Sequence, residues 1–321
     1  MDKLWVVAMA VNLMAKPFDL SSVRLLDSPF KRAMERDAAY LLQLEPDRLL
    51  SRFRSEAGLQ PKAPPYGGWE GMGVAGHTLG HYLSACSMMF ASTGDERFRE
   101  RVNYIVDELE LCQQAHGDGY VAAIPEGRRV FSEIAQGIIR AKPFDLNGVW
   151  VPWYTLHKLF AGLLDAHRFC GNEKALKIAM RLADWAERTT ANLTDEQFQQ
   201  MLACEHGGMV EVLAELYART GDERYLRLAK RFYHKAVMDP LSRGVDCLPG
   251  LHGNTQVPKV IGMARLYELT GERVPYRVIS EFFWERVVKH HCYVIGGFTD
   301  GEHFGEPDRL NDRLGTNTAE V

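Results

Sequence analysis

The sequence predicts an all-α fold of repeated helical hairpins, on three observations. Apolar residues recur at three and four over long stretches, a helix–glycine–helix unit repeats, and the chemically rich residues crowd the connections before each unit. After an extended lead-in at 17–22, Asp27-Ser-Pro29 opens a helix through Arg36, Tyr40 and Leu44, with the proline near its first turn. Residues 58–76, rich in proline and glycine, read as loop. From His77 the pattern turns helical through Leu79, Tyr82, Leu83, Met89 and Phe90. It stops at Thr93-Gly94-Asp95 and restarts through Phe98, Val102, Ile105, Val106 and Leu109.

That unit recurs at 156–169 with 175–188, at 209–219 with 224–237, and at 257–269 with a helix through Phe282, Phe283 and Val287. The turn glycines Gly171, Gly221 and Gly271 are spaced by 50 and 50, and Gly94 precedes them by 77. At each turn glycine supplies the left-handed conformation that ends one helix, and Asp, Asn or Glu caps the next. Such hairpins build either an open solenoid or a closed toroid. The loops decide. The connections before each first helix are long and loaded (Tyr66-Gly-Gly-Trp-Glu-Gly71, Val149-Trp-Val-Pro-Trp-Tyr154, Cys204-Glu-His-Gly-Gly208, Leu251-His-Gly-Asn-Thr-Gln256), whereas the turns after it are short and bland. Loaded loops at one end are the arrangement of an (α/α)6-type barrel enzyme. Roughly ten helices are readable against roughly twelve in a six-hairpin ring, so the last hairpin is expected to be missing.

At 321 residues, 46% hydrophobic and 25% charged, the chain has the composition of an ordinary globular protein. A net charge of -4 gives no reason to expect nucleic acid or a membrane as partner. The six cysteines show no CxxC spacing and read as small buried residues. Residues 1–16 read as a lead, either a vestigial signal or a disordered segment: the apolar run 4–15 lacks a positive n-region, because Asp2 offsets Lys3, and Asn12 interrupts it. Location stays open. Residues 17–321 read as the catalytic barrel. The apolar face of an absent hairpin would favour self-association.

Loop aromatics Tyr66, Trp69, Trp150, Trp153 and Tyr154 read either as a platform for a sugar ring or as packing at the barrel mouth. His77, His81, His157, His206 and His252 all fall at or just before the start of a first helix. Singly each reads as structural; five together suggest a polar pocket for a neutral hydroxylated ligand. His77 and His81 share a helical face, yet the zincin glutamate is absent. Glu205 reads equally as a helix cap or a ligand contact. Asp95, Asp222 and Glu223 belong to the turns. The sharpest chemical candidates are Glu302, Glu306 and Glu320, carboxylates in a Gly-rich C-terminal stretch that otherwise reads as a solvated charged loop; His303 and Phe304 are poor choices for a free loop, and glycine flanks Glu302 closely on both sides.

Several stretches together make the chain resemble the β-L-arabinofuranosidase family of glycoside hydrolases, family 127 and its relatives. They are Pro17-Phe-Asp-Leu-Ser-Ser-Val-Arg-Leu-Leu-Asp27, Tyr66-Gly-Gly-Trp-Glu70, Gly76-His-Thr-Leu-Gly-His-Tyr82 and Val151-Pro-Trp-Tyr-Thr-Leu-His-Lys158. Glu205-His-Gly-Gly-Met209, His252-Gly-Asn-Thr-Gln-Val-Pro-Lys259 and Gly301-Glu-His-Phe-Gly305 complete the set. The resemblance implies an (α/α)6 barrel followed by β-sandwich domains, of which no C-terminal β-sandwich is expected in this chain, and a retaining hydrolase with a zinc-held cysteine nucleophile. It implies Glu302 as acid/base, Glu320 as the zinc-ligand candidate, and His157 and His206 in the sugar pocket. His77, His81, His252, Trp69, Trp153, Glu205 and Gln256 complete the expected substrate-binding set. Val321 stands at the x of the family's Glu-x-Cys, so the expectation is that this chain binds no zinc and turns over negligibly, with a carbohydrate as its partner. The alternatives are another sugar-active barrel, such as an epimerase or uronyl hydrolase, and a non-catalytic carbohydrate-binding fragment.

Overall fold

A computed structural model describes residues 10–313 and 317–318. The chain divides into two compact units, one formed by residues 13–193 and the other by residues from Thr194 onward together with the segment ending at Asn12. Both are helical. Thirteen α-helices are present among the described residues, and the few strands are two residues long.

The first unit runs α1 (Pro29–Gln43), α2 (Pro46–Glu56), α3 (His77–Thr93), α4 (Glu96–His116) and α5 (Gly127–Ala135). An antiparallel three-stranded ribbon follows, β1 (Ala141–Lys142), β2 (Asp145–Leu146) and β3 (Val149–Trp150), and then α6 (Pro152–Cys170) and α7 (Glu173–Thr190). The second unit holds α8 (Asp195–Met201), α9 (Met209–Thr220), α10 (Glu223–Arg231), α11 (Lys235–Ser242), α12 (Gly253–Thr270) and α13 (Val278–Arg286). Near its end β4 (Thr299–Asp300) pairs antiparallel with β5 (Asn317–Thr318).

The repeated turns are built as the sequence indicates. Gly94, Gly171, Gly221 and Gly271 all sit in the left-handed region, with φ of 74°, 69°, 73° and 72°. Asp95, Asn172 and Asp222 then cap α4, α7 and α10 by accepting from the backbone N–H of Arg97, Ala175 and Arg224. Asp95 and Asp222 are thus structural, as expected. The fourth turn departs: Glu272 makes no side-chain cap, and an irregular stretch intervenes before α13 begins at Val278. The count of roughly ten helices was too low because short helices separate the hairpins. One of them, α8, has a capping box between Thr194 and Gln197. The helix expected over 224–237 is two helices, α10 and α11, broken at Phe232–His234.

First helices of successive hairpins pack at backbone distance. A Cβ on Gly80 of α3 would stand 2.1 Å from the carbonyl oxygen of Lys158 in α6, and one on Gly162 of α6 would stand 2.5 Å from that of Gly80. In the second unit a Cβ on Gly262 of α12 would meet Val210 Cβ of α9 at 2.6 Å. No side chain fits at these crossings, so glycine lets the helices close and bury Leu79, Leu83, Leu159 and Leu163 in one unit, and Leu213 and Leu266 in the other. Gly80→Ala or Gly162→Ala should therefore cost about 1–3 kcal/mol or more through overpacking. Gly67→Ala, which faces open space at a permitted φ, should cost little; thermal melts of the three variants check this.

Candidate active site

Each unit carries a polar cluster on the N-terminal turns of its first helices. In residues 13–193 the organiser is Glu70, a side chain that the sequence reading passed over. It is buried in a short 3₁₀ turn (Gly68–Gly71), and its carboxylate accepts from the backbone N–H of Gly76 at 3.0 Å and of Thr78 at 3.4 Å. A carboxylate there satisfies orphan donors and the dipole at the start of α3. The signal was present in Tyr66-Gly-Gly-Trp-Glu70 ahead of a helix start, although Glu70 lies outside the usual capping spacing. Glu70 Oε1 is also 3.5 Å from His77 Nδ1, which is 2.8 Å from the carbonyl of Val74.

His77 is buried, with its ring centroid 5.9 Å from that of His81, 6.1 Å from Tyr154 and 5.7 Å from Trp69. Trp69 is 63% exposed and keeps a ring face for a ligand. Trp153 does not. It is 1% exposed and packed 5.0 Å from Phe131 and 6.3 Å from Trp185, so the expectation of a sugar contact there is corrected: it is core. Tyr66 is likewise occupied, its ring under Arg48 and its hydroxyl accepting from the N–H of Glu45.

His81 retains a solvent-facing surface yet sits where burial, ahead of the positive charge of Lys158 and of His77, pushes its pKa down to about 4. His157, on the first turns of α6, is fully enclosed, and burial drives its pKa well below the usual value. Its Nδ1 has no hydrogen-bond partner among the described residues. A buried, neutral, unsatisfied imidazole nitrogen is suited to a ligand hydroxyl or to water.

In the second unit, His206 is 0% exposed, its Nδ1 3.1 Å from the carbonyl of Cys204 and its ring 5.7 Å from that of His234. Glu205 is buried beside it. His234 was not singled out in the sequence; burial and Lys259 lower its pKa to about 3. Lys259 is 2% exposed and places Nζ 3.0 Å from His234 Nδ1 and 3.0 Å from Gln256 Oε1. Burial lowers its pKa to about 7, against the opposing charge of Glu205. Gln256, buried on the same face of α12, donates to the carbonyl of His252 at 3.4 Å.

His252 Nδ1 is 2.8 Å from Thr255 Oγ1, and its Nε2 is 3.1 Å from Glu302 Oε2. The turn bearing Glu302 is pinned to the start of α12. Gly253 N–H donates to the carbonyl of Glu302 at 2.7 Å, and Phe304 N–H to that of Leu251 at 2.9 Å. His252 and His303 form a bridge, with rings 5.3 Å apart. Glu302 has φ of 69°, an uncommon conformation for a residue with a side chain. Its carboxyl is 58% exposed and reachable. Beside this turn lies a cavity of about 390 Å³ lined in part by His291, Phe298, Asp300, His303 and Glu306. Glu320 lies outside the described residues.

The lowered histidine pKa values have a sign. Above pH 6.5 folded and unfolded chains are both neutral at these sites and the fold keeps its full stability; as the pH falls, the unfolded chain takes up protons first. Denaturation midpoints should therefore drop steadily from pH 6.5 to about 4, and His157→Asn should flatten that drop, as urea titrations over this range would show.

The chain matches the family model described as beta-L-arabinofuranosidase, GH127 catalytic domain, over residues 22–320. It is 26% identical over 160 residues to a non-reducing end beta-L-arabinofuranosidase of Bifidobacterium longum subsp. longum, a match covering 50% of this chain and 22% of that protein. The crystal structure of a GH127 beta-L-arabinofuranosidase from Geobacillus stearothermophilus T6 superposes with a TM-score of 0.63 at 18% identity, covering 88% of this chain and 48% of the other. This chain thus spans about half of that structure, and the likeness shows a shared fold. With the family model covering nearly its whole length, the chain belongs to the glycoside hydrolase family 127 β-L-arabinofuranosidase-like catalytic domains.

Proposed function

We propose that the protein is a retaining glycosidase removing β-L-arabinofuranosyl residues, with Glu302 as its general acid/base. The observation that carries this is the Glu302–His252 contact at 3.1 Å on a turn hydrogen-bonded to the start of α12. Family membership supplies the reaction class; the relatives' names supply the sugar.

The residues act as follows. Thr255 Oγ1 donates to His252 Nδ1, which leaves Nε2 as the N–H that donates to the Glu302 carboxylate. That bond orients the carboxyl without consuming its second oxygen. Protonated, Glu302 would give its proton to the leaving oxygen while a nucleophile takes the anomeric carbon; ionised, it would take one from the water that then displaces that nucleophile, which the resemblance implies to be a cysteine and which none of the six cysteines here matches by motif. In residues 13–193 the uncharged imidazole of His157 offers a hydrogen bond to a hydroxyl; in the other unit the ring of His206 and the amide of Gln256 are the matching groups. An exposed Trp69 offers a ring face.

Among the described residues no group of three or more His, Cys, Asp or Glu side chains is placed to hold a metal. None of the six cysteines is in a disulfide, and burial raises Cys86 and Cys112 to about 12, far from thiolates at neutral pH. These donors do not fit the Glu-and-cysteine zinc site that the resemblance implies. We therefore read residues 1–321 as not binding zinc tightly, which metal analysis of the purified protein tests: stoichiometric zinc would overturn it.

The acid/base reading is tested with p-nitrophenyl and methyl β-L-arabinofuranosides. Glu302→Gln should slow hydrolysis of the methyl glycoside, which residues 1–321 are expected to carry out only weakly, by about 10²–10⁴-fold, with methyl glycoside affinity in calorimetry changed only a few-fold. Product NMR should show the β anomer first. Unimpaired hydrolysis by Glu302→Gln would remove Glu302 from the role. No hydrolysis together with tight methyl glycoside binding would favour a carbohydrate-binding fragment, and preference for a uronate would favour a uronyl hydrolase.

A further inference from the structure

Burying a lysine is expensive unless its amine is compensated, and Lys259 is 2% exposed with its Nζ hydrogen-bonded to His234 and Gln256. Its surroundings define a chain of hydrogen bonds. Ammonium has donors and no acceptor, so a glutamine beside it must turn its oxygen towards it. Gln256 does so, presenting Oε1 to Nζ at 3.0 Å. That fixes the amide's orientation and aims its Nε2 at the carbonyl of His252. His252 in turn reaches Glu302 through Nε2. His252, Gln256 and Lys259 stand at i, i+4 and i+7, one face of α12, so the chain descends from the surface turn into the core along a single rigid element. On the other side Lys259 donates to His234 Nδ1, which holds that imidazole in the tautomer with its proton on Nε2.

We infer that Lys259 is a positioning residue for the His252–Glu302 pair, acting through Gln256. This rests on the reading of Glu302 as the acid/base and explains why the fold tolerates a buried amine whose pKa is lowered to about 7. Lys259 touches neither reacting atom. Its contribution is to deny Gln256 the flipped orientation, in which the amide would face the ammonium with its own donors and present only an acceptor to the His252 carbonyl. Without that constraint the first turn of α12 loses one tie, and the imidazole that orients Glu302 has a second conformation available.

The test reads imidazole nitrogens by NMR in protein labelled with ¹⁵N-histidine. Lys259→Met, close in volume, should shift both His234 and His252. Gln256→Glu should shift His252 while sparing His234, because a glutamate still accepts from Lys259 but has no N–H to give the His252 carbonyl. Lys259→Arg, which keeps the donors, should restore the His252 signal at least in part. A His252 signal unmoved in Lys259→Met overturns the inference, and should that variant fail to fold, an unmoved His252 in Gln256→Glu does so. Failure of the acid/base reading shows separately, as unimpaired hydrolysis by Glu302→Gln.

Discussion

Everything chemical in this chain depends on helices that approach closer than side chains allow. Where Gly80 and Gly162 meet, a methyl group would lie 2.1 Å from a carbonyl oxygen, well inside contact distance. The crossing sits one turn below His77, next to His81, and just beyond His157 along the partner helix, so the same contact that closes the core sets how these imidazoles face one another. Gly262 against Val210 does the equivalent for α9 and α12. Packing without a side chain between the backbones leaves little freedom for sliding, because each glycine faces one complementary spot on its neighbour. Rigid helices so fixed can carry precise polar groups on their first turns.

What was legible in the sequence was what is local. A glycine followed by Asp or Asn specifies a left-handed turn and a cap within three residues: all four turn glycines are left-handed, and the three followed by Asp or Asn carry the cap. The flanking of Glu302 by Gly301, and of the loaded loops by helix starts, is local too. What escaped depends on contacts far apart in sequence. Trp153 stands in a loaded stretch like Trp69, and only Phe131 and Trp185, 22 and 32 residues away, decide that it is core. His234 looks like an ordinary helix-start residue until Lys259 is placed against it across 25 positions. The short helices are a middle case. Thr194-x-x-Gln197 announces α8, whereas Pro240 inside α11 breaks the pattern that would have revealed it.

Burial gives both polar clusters the same electrical character. Enclosed imidazoles resist protonation because the charged form has lost its water, and an adjacent lysine adds repulsion in each unit, Lys158 near His81 and His157, Lys259 near His234. At neutral pH these histidines are uncharged and each offers one donor and one acceptor, the complement of a hydroxyl. An anionic ligand would find few full positive charges there. A neutral furanoside loses less on desolvation and can use both faces of the hydrogen-bond inventory. The Glu302 carboxyl, by contrast, is 58% exposed.

α12 joins these strands of argument within one element. Its lower part is held by Gly262 against α9, its middle face carries Gln256 and Lys259, and its first residues bind the Glu302 turn through backbone and imidazole. Gly253 is needed for that last step, since a Cβ there would stand 2.6 Å from Thr299 Cγ2 and push the turn away. The carboxyl at the surface is therefore positioned by a glycine contact two and a half turns deeper, with only one helix between them. A helix is stiff along its axis and its hydrogen bonds leave few soft dihedrals, so displacement at the deep contact arrives at the surface turn almost undiminished. An exposed residue in an uncommon backbone conformation can in this way have a fixed place, which proton transfer over hydrogen-bond distance demands.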